Sequence, residues 1–269
     1  MHGRLMGWIG LLSGCASVTG VESSAVLPRI GSAWVADTGY VRAFALDAGA
    51  DAGVVLIDAG NEKDAAALMR VLAAMGRTAA DVSAIFLTHG HVDHLAGCEA
   101  FPRAQVLAMG AEVPLIQGEV EARSPFGRSP LGCFFRPDGG LRVSRGLSDK
   151  EVTRIGDLRI EAHAVPGHTD GTAAYLVGPL LFLGDAAYAG ADGRLEGPRW
   201  FFSHDTEQGT KALAALARRL DDRPDLELSW LVPSHTPALQ GVAALRAWVE
   251  RAPQHERTLR GLQTHMTHL

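Results

Sequence analysis

Ten residues constrain this chain more than any other segment: Thr88-His89-Gly90-His91-Val92-Asp93-His94-Leu95-Ala96-Gly97. They follow Ile85-Phe86-Leu87, an apolar strand pattern, so His89 and His91 fall just past a strand end. A spacing of two lets both imidazoles point the same way in extended backbone. Asp93 and His94 fall where the chain turns into a helix, and they can approach the same point from another side. Such groups make a poor core, because imidazoles and carboxylates are costly to bury unpaired. The bland alternative is a solvated histidine-rich loop, which this spacing disfavours. Imidazole suits zinc, with iron and copper as competitors, and carboxylate suits the harder ions of that set.

Three later segments supply what the cluster lacks. Pro166-Gly167-His168-Thr169, Leu183-Gly184-Asp185 and Pro233-Ser234-His235 each close a strand pattern with one ligand type and small or turn residues. Open α/β folds place their sites at such strand ends. Singly, His168 and His235 read as loop histidines and Asp185 as a turn cap. Together, five His and two Asp are the right number for two metals sharing a bridging carboxylate.

The rest of the chain predicts an α/β domain. Strands are expected over 32–37, 41–47, 54–58, 82–87, 104–108, 151–155, 158–164, 172–177, 180–183 and 227–232. Helices are expected over 61–75, capped by Asn61, and over 207–220 and 242–251. Residues 118–149, rich in glycine and proline, read as a long loop or lid. Strand clusters followed by helices, twice over, predict two sheets sandwiched between helices. A net charge of −5 spread without a basic block excludes the concentrated Lys/Arg surface that nucleic-acid binding needs.

These motifs, in this order over residues 31–250, resemble the metallo-β-lactamase superfamily. The resemblance implies the αββα four-layer sandwich. It also implies that His89, His91 and His168 hold a first metal, that Asp93, His94 and His235 hold a second, and that Asp185 bridges both. Asp58, in Leu56-Ile57-Asp58-Ala59-Gly60, matches the family's early aspartate, which supports the metal loop from behind. The implied cofactors are two zinc ions, with iron or manganese as alternatives. Two such ions lower the pKa of water towards about 7 and polarise a carbonyl, which fits hydrolysis of a small-molecule substrate. His163 and His204 match no family ligand; His163 reads as a strand residue and His204 as a substrate-contact candidate.

Within the superfamily, zinc β-lactamases usually carry Cys or Ser where this chain has Asp185, and the stretch after His235 is short for the glutathione-binding helices of glyoxalase II. Acyl-homoserine lactonases carry a Tyr three residues after the bridging Asp, and Tyr188 has that spacing. The expected activity is therefore opening of a small ester or lactone, with Asp93 and Tyr188 in the catalytic set. Phe126, Phe134 and Phe135 are candidates for an apolar wall. An exported β-lactamase-like amidase or thioesterase is the first alternative, and a metal-binding protein without turnover the second.

The N-terminus has its own pattern. A basic start, the apolar Leu5–Leu12 stretch and Leu12-Ser13-Gly14-Cys15 resemble a bacterial lipoprotein signal. This implies a signal peptide over 1–14, lipid attachment at Cys15, a flexible tether over 15–30, the domain over 31–252 and a tail over 253–269. The expected location is the bacterial cell envelope, with contact to the membrane by the lipid anchor only. Cys98 and Cys133 could then pair in an oxidising compartment.

Overall fold

The computed structural model describes residues 27–132, 137 and 139–251. Two sheets stack face to face, with helices on both outer surfaces. The first has seven strands in chain order: β1 (Arg29–Ile30), β2 (Ala33–Asp37), β3 (Arg42–Asp47), β4 (Val54–Ile57), β5 (Val82–Phe86), β6 (Gln105–Met109) and β7 (Arg145–Leu147). Pairing is antiparallel from β1 to β4 and parallel from β4 to β7. The second sheet draws on β8 (Val152–Ile155), β9 (Leu158–Ala164), β10 (Ala173–Val177), β11 (Leu180–Gly184), β14 (Trp230–Pro233) and β15 (Leu239–Gln240), in the order β15-β14-β11-β10-β9-β8. A small hairpin of β12 (Tyr188–Ala189) and β13 (Leu195–Glu196) stands apart. The architecture is the expected αββα sandwich.

Side-chain alternation along the central strands builds the layers. In β4, Val55 and Ile57 face the space between the sheets, where they meet Phe44, Phe86, Tyr175, Phe182 and Val232. Val54 and Leu56 face the other way, onto Leu68, Val71 and Leu72 of α1 (Ala66–Ala74). In β11, Leu180 and Phe182 point inward, while Leu181 and Leu183 meet Leu213, Leu216 and Leu220 of α3 (Thr206–Asp221) and Leu245 and Trp248 of a helix over 243–251. Strands buried on both faces become continuous apolar runs, which is why Val54–Ile57 and Leu180–Leu183 lack polar residues. Among the described residues, no helix is long and apolar enough to cross a membrane.

Several boundaries differ from expectation. Helix α1 starts at Ala66, not Asn61; Ala65 sits in the left-handed region (φ 50°), and the first free amides are met by Glu62 and Asp64, whose carboxylates accept from Ala67 N (2.7 Å) and Ala66 N (3.3 Å). Strand β14 starts at Trp230 rather than 227, because its parallel partner β11 begins at Leu180, opposite Trp230. Residues 29–30, assigned to the tether, instead form β1, and Val35 N donates to Pro28 O at 3.0 Å. The expected 118–149 loop ends earlier, because Arg145–Leu147 adds to the parallel edge of the first sheet as β7.

Helix α3 carries a conventional cap: the Asp205 carboxylate accepts from Gln208 N at 2.9 Å, while Asp205 N donates to Gly167 O. Asp205→Ala is expected to remove about 1 kcal/mol of stability, read as a lower urea midpoint at unchanged slope.

Candidate metal centre

The cluster residues follow strand ends along one edge of the sandwich. His89 lies just beyond β5, and His91 is the N-cap of the short helix α2 (Val92–Leu95), which carries Asp93 and His94. His168 lies between β9 and β10, Asp185 follows β11, and His235 follows β14. Gly184 makes the Asp185 position possible. Its φ is +51°, and a Cβ there would come within 2.6 Å of Thr88 Oγ1, so no larger residue fits without displacing that loop.

The seven side chains converge. His89 Nε2, His91 Nδ1 and His168 Nε2 lie 3.0–3.1 Å from one another. Nitrogens about 2.0–2.1 Å from one tetrahedral ion sit about 3.3 Å apart, so this triangle has nearly the dimensions of a three-histidine site. A second group comprises Asp93, His94 and His235, with His235 Nε2 at 3.3 Å from Asp93 Oδ2 and 3.4 Å from His94 Nε2. Asp185 stands between them: Oδ1 is 3.4 Å from His94 Nε2, while Oδ2 is 3.4 Å from His235 Nε2 and 3.7 Å from His168 Nε2.

The outer ring atoms explain why the inner ones are available. His94 Nδ1 donates to Asp58 Oδ2 at 2.8 Å, and His235 Nδ1 to Tyr40 O at 2.9 Å. His89 Nδ1 meets Thr88 Oγ1 at 3.1 Å, and that hydroxyl spends its own proton on Asp58 at 2.8 Å. His168 Nδ1 meets Ser203 Oγ at 3.1 Å, whose proton goes to Arg199 O at 2.7 Å. A proton held on the outer nitrogen leaves a lone pair on the inner one. The inward nitrogens of His89 and His168 therefore face each other as two acceptors, an arrangement a cation resolves and a hydrogen bond cannot. Asp185 Oδ1 is buried without a hydrogen-bond partner. These residues fit a pair of divalent ions.

Protonation in the absence of an ion separates the two trios. Burial holds His89 and His168 well below the usual imidazole range and His91 down at about 4. Burial would also lower His94 and His235, but carboxylates override it: Asp58, Asp93 and Asp185 hold His94 well above its ordinary value, and Asp185 and Asp93 hold His235 at about 9.

Of the other sequence-derived candidates, Asp58 is fully buried behind the metal loop and accepts from His94 Nδ1, Thr88 N and Thr88 Oγ1. Tyr188 lines the cavity above the centre, but its hydroxyl donates to Asp185 Oδ2 at 2.6 Å, so the structure places it on the carboxylate rather than free in the cavity. His163 is a buried residue of β9, as expected. His204 is corrected: it does not line the cavity, its Nε2 accepts from Arg123 N (2.8 Å), and its Nδ1 faces Asp170 Oδ1 (3.2 Å). It is a tie between loops. Phe126 does line the cavity; Phe134, Phe135, Cys15 and Cys133 lie outside the described residues, and Cys98 is buried.

One residue was missed. Glu112, 1% exposed, accepts from Gly90 N at 2.7 Å through one oxygen and from Gly171 N at 2.6 Å through the other. It straps the His89–His91 loop to the loop carrying His168. Burial pushes its carboxyl up to about 7 against the pull of Thr169 and the two amides. No local pattern marks it, because both partners are remote in sequence.

The metallo-β-lactamase superfamily model matches residues 36–235, which span every residue of the two trios, Asp58 and Asp185. The chain belongs to the metallo-β-lactamase superfamily. Its curated relatives include a hydroxyacylglutathione hydrolase of Chromohalobacter salexigens, 29% identical over 63% of this chain and 54% of that protein. Another is metallo-beta-lactamase domain-containing protein 1 of Rattus norvegicus, 29% identical over 53% of this chain and 49% of that one. The chain thus spans about half the length of these relatives. Among solved structures, a B3 metallo-β-lactamase with an active-site glutamic acid superposes with a TM-score of 0.64 at 23% identity, covering 89% of this chain and 91% of that one. The B3 enzyme BJP-1 of Bradyrhizobium japonicum gives 0.63 at 16%, covering 88% and 93%. At these identities the structures show a shared fold.

Two outcomes test the superfamily centre. Purified protein is expected to carry close to two divalent ions, and Asp185→Ala to carry fewer, measured by elemental analysis; unchanged stoichiometry in the variant rules out a bridging role. Glu112→Ala strands two buried amides and is expected to cost about 2–5 kcal/mol in denaturant unfolding and to speed metal loss to a chelator.

Proposed function

We propose that the chain is a dinuclear metal-dependent hydrolase that opens a small ester or lactone, with zinc as the best-suited ion and iron or manganese as alternatives. The observation that supports this most is the position of Asp185, whose two oxygens reach toward both trios at 3.4–3.7 Å. Ions held by His89, His91 and His168, and by Asp93, His94 and His235, would lower the pKa of water and polarise a scissile carbonyl. The chain's own residues do the rest. Asp58 fixes the His94 tautomer, Asp93 and Asp185 hold His235 in place, and Glu112 keeps the two histidine loops in register. Leu115, Val120, Phe126 and Phe202 wall a cavity of about 470 Å³ over the centre, which excludes water from an apolar acyl group. Tyr188 places its phenol, hydrogen-bonded to Asp185, beside the reacting position, where a substrate oxygen would compete for its proton. A thioester is the second reading, favoured by the similarity to hydroxyacylglutathione hydrolases.

A panel of a homoserine lactone, an aryl ester, a thioester and nitrocefin tests the substrate class. Preference for nitrocefin would overturn the reading. Tyr188→Phe keeps the ring and removes the donor. It is expected to lower kcat/KM on the preferred ester or lactone by about tenfold to a thousandfold with metal content unchanged. Metal loss in that variant would assign the hydroxyl to holding Asp185 instead.

The proposal extends to location. Leu12-Ser13-Gly14-Cys15 supports lipid anchoring at the bacterial cell envelope, facing the periplasm or exterior. Expression in a bacterium is expected to give membrane-associated protein labelled by fatty acid, and Cys15→Ser to abolish the label. Soluble protein retaining Met1 would overturn it.

A further inference from the structure

The described walls of the cavity above the metal centre are mostly apolar, with few charged side chains among them. Outside the ligand set, the described charged side chains that line it are Glu121 and Arg199. Arg199 is exposed, and its guanidinium lies 4.4 Å over the Tyr188 ring, one ring away from Asp185. Among the described residues no carboxylate pairs with it. Nearby arginines differ: Arg123 is matched to Asp170 and Arg194 to Asp192.

Stacking on an aromatic face holds a guanidinium by its flat side and leaves the N–H donors around its edge unspent. The backbone beneath is fixed as well. Arg199 O accepts from Ser203 Oγ, the same hydroxyl that meets His168 Nδ1, and the turn that follows, Trp200–Phe202, binds the cavity wall through Phe126 N donating to Phe201 O at 2.9 Å. Arg199 is therefore a cation stacked on Tyr188 whose guanidinium makes no hydrogen bond among the described residues, and it lines the same cavity as the metal cluster. Such a fork matches a carboxylate with two parallel hydrogen bonds.

We infer that Arg199 is a specificity-determining residue that binds a carboxylate on the substrate, so that the preferred substrate is an acyl compound with an apolar body and a carboxylate distant from the scissile bond. The inference rests on the hydrolase reading above and narrows it, since a neutral lactone offers Arg199 nothing to bind.

A matched pair of esters tests it: the mono-4-nitrophenyl ester of adipic acid, which carries a free carboxylate, and neutral 4-nitrophenyl hexanoate of the same chain length. The metal-loaded parent is expected to prefer the adipate ester. Arg199→Met, which keeps length and apolar bulk, should lower the ratio of kcat/KM values by about tenfold to a hundredfold, and Arg199→Lys should recover part of it. An unchanged ratio, with both esters slowed alike, overturns the inference and assigns Arg199 to holding Tyr188. Calorimetric binding of adipate and hexanoate separates this result from a failure of the hydrolase reading, because it needs no turnover. Tighter binding of adipate by the parent, reduced in Arg199→Met, supports the inference even if neither ester is hydrolysed. Equal binding of the two acids, or an adipate preference that survives in the variant, overturns it.

Discussion

The centre depends on the carboxylate of Asp58. This residue stands just past β4 in left-handed backbone (φ 58°), a conformation that disfavours a non-glycine residue by about 1–2 kcal/mol, and it is fully buried. Three donors offset both costs: Thr88 N at 2.7 Å, Thr88 Oγ1 at 2.8 Å and His94 Nδ1 at 2.8 Å. Thr88 carries the connection into the other sheet, since its carbonyl accepts from Ala173 N at 2.8 Å and its side chain lies against Gly184. One acid thus fixes the loop that delivers the first histidines, and through Thr88 the two sheets meet where Asp185 emerges.

Electrostatics follow from that frame. Asp58, Asp93 and Asp185 are brought close to five imidazoles in a setting that is nearly dry. In such surroundings charge interactions are far stronger than in water, so an arrangement without a cation is poorly balanced. The walls above are apolar, which keeps the effective dielectric low where a substrate would lie.

Much of this was legible in the sequence. His89, His91, Asp93 and His94 announce themselves by spacing, and Val54–Ile57 and Leu180–Leu183 by unbroken apolarity between turn residues. What escaped depends on contacts distant along the chain. Glu112 lies in no recognisable motif, and its function exists only once Gly90 and Gly171 fold against it. The end of strand β14 was legible from Pro233-Ser234-His235, but its start is set by where β11 begins, and Leu228 is buried outside any strand because no neighbour remains to pair with it. Asn61 looked like a cap, yet Glu62 and Asp64 serve the first turn of α1 from within a tight turn. Tyr188 stands out only through the resemblance to lactonases, and that resemblance does not say that Asp185 claims its hydroxyl.

The antiparallel run from β1 to β4 has a consequence for orientation. Because each of these strands reverses the last, β1 begins at the end of the first sheet where β4 finishes and Asp58 stands. The polypeptide ahead of Leu27 therefore joins the folded body on the catalytic side, not the far one.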